Sequence, residues 1–394
     1  MTRGSGVKTE HMAVLTDAGL FDTSHMAMVK VVGPDSFDLL QRCFTKDLNA
    51  CVGLKKNPLA SGKCVYGAFL NEKGETIDDA IIYHVEESSY LIVVNAGMGS
   101  VIADHLIANK DSRNAEISDL TDKVGKLDVQ GPNAGKIMKT LLADPDQAFD
   151  KLAYFSFKGH FEEDGPCSQA ILLKDGTPIL LSRTGYTGEF GFEIFIAPND
   201  FVKLWKMIHE AGQDFGLVVC GLAARDSLRG GAVLPLSHQD IGHWPFLNHP
   251  WAFALPFGDD GSKFTKSFIG DAALHSVDNP EYTLAFVGND LRKVSLEDQK
   301  GVFDLEGNEI GKILTCVTDM GIGKVDGKIY SIGSPDRPED FKPKGLCCGF
   351  VKVAKELAVG QVVEIRDKRR KLKVTITEDV RPDRSARRPI RKMI

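Results

Sequence analysis

The sequence predicts an α+β protein that ends in a small antiparallel β-barrel, and three observations support this prediction. The 394 residues are enough for two or three domains with ordinary cores. Helical and strand patterns follow one another up to about Asp278 without the regular alternation of a parallel sheet. After that point, short strands with Gly, Asp and Asn turns replace the helices, as is typical of a small barrel. We therefore predict an α+β lobe over residues 1–122, a second over 123–277 and a barrel over 278–394.

The first lobe combines helices with an antiparallel hairpin. Its N-terminal segment has helical apolar spacing, and we expect Gly19 to cap this helix before a strand begins. A turn over residues 71–74 joins two further strands. Helices are predicted in HMAVLTDAGL, DSFDLLQRCF and SVIADHLIANK, and strands in KCVYGAFLNEKGETIDDAIIYHV and SYLIVVNAG.

The second lobe mixes strands with patterned helices, whereas the third region is almost entirely strand. A strand in KLDVQ leads through a tight turn at Gly131 and Pro132 into a helix. Further strands are predicted in HFEEDGPCSQAILLKDGTPILLSRT, and helices in NDFVKLWKMIHEAGQDFG and GLAARDSLRGGAVL. Barrel strands are predicted in TLAFVGND, KGVFDLEGNEIGKILTCVTD, GLCCGFVK and GQVVEIRDKRRKLKVTITED.

Bulk composition argues against several classes of function. Hydrophobic residues make up 43% and charged residues 26% of the sequence, as in soluble globular proteins. The net charge of -6 argues against a nucleic-acid binder, which needs a basic excess to neutralise phosphates. No apolar run approaches the roughly 20 residues of a membrane helix, and the N-terminus lacks a signal or transit pattern. We therefore expect a cytoplasmic protein that binds neither nucleic acid nor membranes.

Cysteine and histidine spacing argues against a metal site. The eight cysteines include no Cys-x-x-Cys pair, and the histidines are scattered without a His-Glu-x-x-His helix. We expect reduced, mostly buried cysteines and no bound metal.

A carboxylate inside an apolar strand is the first candidate for a binding residue. In SRTGYTGEFGFEIFI, alternation places Glu193 on the face of Phe195, whereas Phe192 and Ile194 share the other face. The residues alone leave two interpretations open. Glu193 is either a solvated edge position or a half-buried acceptor for the donors of a ligand.

Two neighbouring aspartates form the second candidate. Asp78 and Asp79 lie in a predicted strand, where aspartate is disfavoured and neighbouring side chains point to opposite faces. We therefore do not expect a catalytic pair: at most one faces a cleft, and the other is solvated or caps a turn. Asn95, which ends an apolar strand, and Arg225, which follows small or apolar residues, are further unusual positions.

The C-terminal residues 368–392 carry a local excess of Lys and Arg within an acidic chain. One interpretation is a solvated strand edge followed by a mobile tail. The other is a patch that attracts a polycarboxylate or an acidic protein over about a Debye length.

Seven stretches together resemble, in order and spacing, the aminomethyltransferase family of the glycine cleavage system, the T-proteins. They are GLFDTSHM, NEKGETIDD, VVNAG, VQGPNA, SRTGYTGEFGFE, GLAARDSLR and FIGDAAL. The resemblance covers nearly the whole chain, and its most specific parts are Arg-Thr-Gly-Tyr-Thr-Gly-Glu and Gly-Leu-x-Ala-Arg-Asp. It implies a three-domain cloverleaf around a central hole that binds tetrahydrofolate, with folate held by both α+β lobes.

The resemblance also implies roles for individual residues. Asp79 matches the catalytic carboxylate beside folate N5, and Glu193 matches the carboxylate that accepts hydrogen bonds from the pterin ring. Arg225 matches the arginine at the anionic far part of folate, which can be polyglutamylated. The other pocket positions are matched by Met26, Tyr66, Asn95 and Tyr186.

By this resemblance the reaction is one-carbon transfer. Folate N5 would attack the methylene of an aminomethyl group carried on the lipoyl arm of a partner H-protein, and ammonia would leave. The products would be 5,10-methylenetetrahydrofolate and the dihydrolipoyl arm.

Departures from the family pattern cluster around the expected substrate entrance. The family's Gly-Trp-x-Met-Pro segment would precede the first residues of this chain, and extra residues lie in NACVGLKKNPLASGK. RGGAVLPLSHQD and WPFLNHPWAFALP replace two of the family's stretches.

These departures leave two alternatives to an aminomethyltransferase. One is a folate-dependent demethylase or methyltransferase that acts on a small N-, S- or O-methyl compound. Its apolar or cation-binding pocket would be formed by four aromatic residues that could equally be ordinary core, namely Trp244, Phe246, Trp251 and Phe253. The other is a non-catalytic folate-binding regulatory protein, against which the retained Asp79 argues.

Overall fold

The computed structural model describes residues 5–162, 170–259, 261–297 and 300–394. Residues 163–169, which include Cys167, lie outside the described residues. They belong to one of the predicted strand segments of the second lobe. The α-helices are α1 (Val7–Thr16), α2 (Ser36–Cys43), α3 (Gly99–Ala108), α4 (Ala134–Leu141), α5 (Pro145–Phe149), α6 (Phe201–Gly212), α7 (Leu222–Gly231) and α8 (Asp271–His275).

The strands of the first two sheets are β1 (Ala18–Asp22), β2 (Ala27–Val32), β3 (Lys63–Leu70), β4 (Thr76–Glu86), β5 (Ser89–Val94), β6 (Glu116–Asp119), β7 (Gly125–Gln130), β8 (Phe157–Gly159), β9 (Ile171–Leu172), β10 (Pro178–Ser182), β11 (Gly191–Ile196) and β12 (Leu217–Val219). The later strands are β13 (Tyr282–Gly288), β14 (Gly301–Phe303), β15 (Glu309–Asp319), β16 (Ile322–Val325), β17 (Lys328–Ser331), β18 (Leu346–Val353), β19 (Val362–Arg366) and β20 (Lys371–Ile376).

The first sheet is antiparallel, in the order β3-β4-β5-β2-β6. Successive strand residues point to opposite faces, so Ile82 and Ile92 bury one face in a core that also contains residues of α2 and α3. Tyr83 and Val93, each one residue further along its strand, bury the other face.

The second sheet follows the order β12-β1-β7-β11-β10-β8, and β9 pairs with β10. Phe192 and Ile194 belong to a core shared with α4 and α6. On the opposite face of β11, Phe195 packs in a cluster with Tyr83 and Val93 of the first sheet. The two sheets therefore face each other, and Glu193 lies on the face that looks toward the first sheet.

Gly19 does not cap the first helix, so that prediction is wrong. Helix α1 ends at Thr16, and Gly19 lies inside β1, where it pairs with Gln130. A Cβ atom at this position would lie 2.4 Å from Val14 Cγ2 and 2.9 Å from Cys220 Sγ. The glycine is therefore explained by the close approach of the helix and the neighbouring segment to the strand.

The C-terminal region contains a closed antiparallel barrel in the order β13-β18-β15-β14-β19-β20. Its buried residues include Phe286, Val302 and Val374. The predicted α+β class with a C-terminal barrel is thus confirmed, whereas the bounds of the three domains stay predictions. No helix in the described part of the chain is both long enough and apolar enough to cross a membrane.

The chain after β20 packs against the second sheet and is not a mobile tail. Arg381 is buried between Asp319 and Glu189, with Arg381 Nε 3.1 Å from Glu189 Oε1. Ile390 and Met393 belong to the core of the second sheet. The mobile-tail interpretation is therefore wrong, and a polyanion patch stays a prediction for the exposed lysines of β20.

Candidate functional site

Asp79 lies at the centre of a small hydrogen-bonded group on the first sheet. The hydroxyl of Tyr66 on β3 donates to Asp79 Oδ2 at 2.7 Å, and Asn95 Nδ2 donates to Asp79 Oδ1 at 2.7 Å. Three of the predicted site residues are therefore in direct contact. Each carboxylate oxygen of Asp79 has one neutral donor, which fixes its orientation without neutralising its charge.

Asp78 is buried, contrary to the prediction that one aspartate is solvated or caps a turn. Alternation places it on the face of Ala80 and Ile82, which is the covered face of the first sheet. Its oxygens accept from the Asn95 backbone N–H at 2.9 Å, from Asn95 Nδ2 at 2.7 Å and from Ser237 Oγ at 2.9 Å.

One amide therefore bridges two carboxylates that point to opposite faces. An asparagine side chain has two N–H donors, and Asn95 reaches both Asp78 and Asp79 from its position just after β5. The two aspartates, which we did not expect to act as a catalytic pair, are therefore connected through the residue that follows the neighbouring strand.

Burial strongly affects the protonation of this pair. It raises the pKa of Asp78 to about 7, with the charge of Asp79 adding to the effect. Burial also raises the pKa of Asp79, although the hydrogen bonds from Tyr66 and Asn95 oppose this shift. The pair therefore resists carrying two negative charges near neutral pH.

A second group forms a chain of alternating charges on the second sheet. Arg225 on α7 donates to Asp128 Oδ2 at 3.0 Å, and Lys126 Nζ lies 2.6 Å from Asp128 Oδ1. The same Nζ lies 2.6 Å from Glu193 Oε1. Two cations and two anions balance within this group, which satisfies the requirement that buried charges be paired.

Glu193 is almost completely buried, so the solvated-edge interpretation is wrong. Its Oε2 accepts from Thr184 Oγ1 at 2.6 Å and from the Tyr83 hydroxyl at 3.3 Å. With Lys126 on Oε1, three protein donors occupy a carboxylate that offers about four lone-pair positions. The protein itself supplies most of the donors that a ligand was expected to supply.

Tyr186 and Met26 extend this second group. The Arg225 guanidinium lies 4.7 Å from the centre of the Tyr186 ring, and the Tyr186 hydroxyl donates to the carbonyl of Pro235. Met26 lines a pocket between the two sheets whose other walls include Val93, Phe195 and Lys126. The pocket is small, with a volume of about 10 Å³, and it has apolar walls and one cation beside Glu193.

Several residues of the site were not predicted from the sequence. Lys126 and Asp128 connect Glu193 to Arg225, and Ser237 contacts Asp78. The stretch KLDVQ carried a usable signal, since its alternation places Lys126 and Asp128 together on the face opposite Leu127. Ser237 lies in a segment without a pattern that would indicate the contact.

The four aromatic residues proposed for an alternative pocket do not form one. Phe246 and Trp251 are buried core residues, and Lys312 and Lys352 lie over the Trp244 ring at 4.8 and 4.3 Å. Phe253 is exposed, with its ring centroid 5.8 Å from that of Tyr66. Over the residues described, no group of three or more His, Cys, Asp or Glu side chains is arranged to hold a metal ion.

Comparisons with known proteins place these observations in a family context. Residues 2–244 match the family model described as the GCVT N-terminal domain. The chain is 39% identical over 241 residues to proteins named "Aminomethyltransferase" from Bacillus mycoides (strain KBAB4) and Bacillus cereus (strain G9842). These alignments cover 60% of this chain and only 58% of each relative's length.

A solved structure shares the fold over most of the chain. It is the glycine cleavage system aminomethyltransferase T from Bartonella henselae, with a TM-score of 0.69 and 23% sequence identity. The similarity covers 94% of this chain and 88% of the other.

Proposed function

Because the chain belongs to the GCVT N-terminal domain family, we propose that it is a tetrahydrofolate-dependent aminomethyltransferase. The reaction would move a one-carbon unit from an aminomethyl-lipoyl group of an H-protein to N5 of tetrahydrofolate, with release of ammonia. The observation that supports this most directly is the contact of Asp79 with Tyr66 and Asn95, three residues to which the resemblance assigns the folate site.

Asp79 is the residue that we assign to the reacting nitrogen. As a residue Asp79 is half-buried, and each carboxylate oxygen keeps acceptor capacity beyond its one protein donor. It can therefore accept an N–H of the folate amine and stabilise positive charge that develops there. A positioned acid or base of this kind contributes about 10²–10⁴-fold to rate.

The second sheet offers groups that fit the remainder of tetrahydrofolate. Glu193 keeps one acceptor position for a ring N–H or amino group, and it lies next to the small apolar pocket of Met26, Val93 and Phe195. Arg225 uses one of five guanidinium donors on Asp128, so others are available for the anionic glutamate part.

The proposal is tested by anaerobic turnover of tetrahydrofolate with an aminomethylated H-protein. We expect methylenetetrahydrofolate and ammonia in equal amounts, and we expect Asp79→Asn to lower turnover by about 10²-fold or more while tetrahydrofolate binding is kept. Asp104→Asn, on the exposed surface of α3, is the matched control. Folate binding without turnover by the unaltered protein, or a fully active Asp79→Asn variant, would contradict the proposal.

A further inference from the structure

A π-helical turn, Ser237–Ile241, lies against β4 beside the two aspartates. All of the turn except Ile241 falls within RGGAVLPLSHQD, a stretch that departs from the family pattern. Turns of this kind are rare and occur frequently at functional sites. The turn presents two polar side chains, Ser237 and His238, to the aspartate pair.

Both side chains contact Asp78 at the same oxygen. Ser237 Oγ donates to Asp78 Oδ1 at 2.9 Å, and His238 Nε2 lies 3.5 Å from that atom. Ser237 Oγ also accepts from the Asp79 backbone N–H at 3.3 Å. Asp78 is fully buried, whereas 42% of the His238 side chain is exposed to solvent.

His238 differs in kind from the other groups around the pair. Tyr66, Asn95 and Ser237 are neutral donors to the two carboxylates. Among the ion pairs within the described residues, His238 supplies the only side chain within reach of either carboxylate that can carry a positive charge. The charged and titratable groups that act on His238 from the packed elements are Asp78, Asp79 and His243.

We propose that Asp78 and His238 form an electrostatically coupled positioning pair whose two side chains together hold one proton near neutral pH, which leaves the negative charge of the aspartate pair on Asp79. This inference rests on the proposed function, in which Asp79 faces the reacting nitrogen. The exposed edge of His238 lets the shared proton exchange with water, while Asp79 stays anionic for the amine. Burial raises the pKa of Asp78 to about 7 and lowers the pKa of His238, which agrees with a pair that holds one proton and not two near neutral pH.

The first test is independent of turnover. Protein labelled with ¹⁵N in its histidine rings is titrated by NMR, and the His238 signal is assigned by its loss in His238→Gln. We expect Asp78→Asn to lower the midpoint of His238 by at least about 0.5 pH unit, because the variant removes an ionisable partner. An unchanged midpoint in a folded Asp78→Asn variant would overturn the inference.

The second test separates positioning from a structural role. In His238→Gln, we expect the acid limb of the kcat profile to move to higher pH by about 0.5 unit or more, while KM for tetrahydrofolate changes by less than about twofold. His209→Gln, an exposed histidine on α6, should leave the profile unchanged. If kcat falls by the same factor at every pH and the acid limb of the profile stays at the same pH, the inference is wrong.

The two tests also distinguish this inference from the proposed function. If the unaltered protein does not transfer the one-carbon unit, the proposed function fails, and the histidine titration still decides whether Asp78 and His238 are coupled. If the protein is active but the variants change neither the His238 midpoint nor the acid limb of the kcat profile, only the inference fails.

Discussion

At the residue scale, Glu193 has to serve both the protein and the expected ligand. Its contacts with Lys126, Thr184 and Tyr83 hold the carboxylate in one orientation. A preorganised acceptor of this kind loses little conformational entropy when it binds a donor. Replacing Glu193 therefore also removes these contacts within the protein, so the experiment has to show that the variant is still folded.

Replacing Glu193 by alanine should weaken tetrahydrofolate binding by about tenfold or more, since a charge-assisted hydrogen bond contributes about 1.5–3 kcal/mol. Lys126 keeps Asp128 as a partner, so the variant should still fold. Calorimetric titration under nitrogen measures the affinity. Glu162→Ala, which breaks only a surface pair with Lys30, is the control. Native affinity in a folded Glu193→Ala protein would remove this residue from the pterin site.

The sequence predicted the positions of the site residues better than their environments. The strand period placed Glu193 on the face of Phe195, and this is confirmed, because alternation depends only on local backbone geometry. The same period separated Asp78 from Asp79 and missed their shared partner Asn95. Such contacts depend on where neighbouring strands end, which no local pattern encodes.

At the element scale, the segment after β20 fixes the barrel to the second sheet. Arg381 contacts Asp319 on β15, Glu189 before β11 and the carbonyl of Thr187. Arg183, which follows β10 of the second sheet, donates in turn to the carbonyls of Ala386 and Arg388. The buried Arg381 therefore serves internal contacts, which a charge count over the segment does not reveal.

Replacing Arg381 by methionine should destabilise the fold by about 3–5 kcal/mol, because it leaves buried carboxylates without their cation. Urea unfolding followed by circular dichroism measures the change. Arg387→Met is the matched control: this exposed arginine lies over the Tyr154 ring, and its loss should cost about 0.5 kcal/mol or less. Similar effects of the two substitutions would show that the buried ion pairs contribute little.

At the scale of the whole molecule, the proposed site lies where the two facing sheets meet. The first sheet provides Asp79, the second provides Glu193, and α7 brings Arg225 to the second group. Helix α7 also packs on the barrel, where a Cβ at Gly230 would lie 2.5 Å from Val317 Cγ2. The first two sheets and α7 thus contribute residues to the proposed site, and the barrel supports α7, so the stability of the fold and the geometry of the site are linked.

This linkage predicts a pH dependence of stability that originates in the site. A carboxyl with a raised pKa binds a proton that the unfolded chain has already lost, so stability falls as pH rises from about 3.9 to the folded value. For Asp78 that folded value is about 7. Asp78→Asn stays neutral at every pH. We subtract the free energy of unfolding of the unaltered protein from that of the variant. This difference should increase by at least about 1 kcal/mol between pH 4.5 and 7.5.

Urea unfolding of the two proteins at both pH values measures this difference, because titrating groups that do not interact with Asp78 are common to both proteins and cancel. Asp104→Asn controls for removal of an exposed carboxylate and should show the same difference at both pH values. If the Asp78→Asn difference is also constant with pH, Asp78 is ionised in the folded protein throughout this range. The buried pair would then carry two negative charges beside neutral donors and His238, and a neutral Asp78 would no longer explain why the charge resides on Asp79.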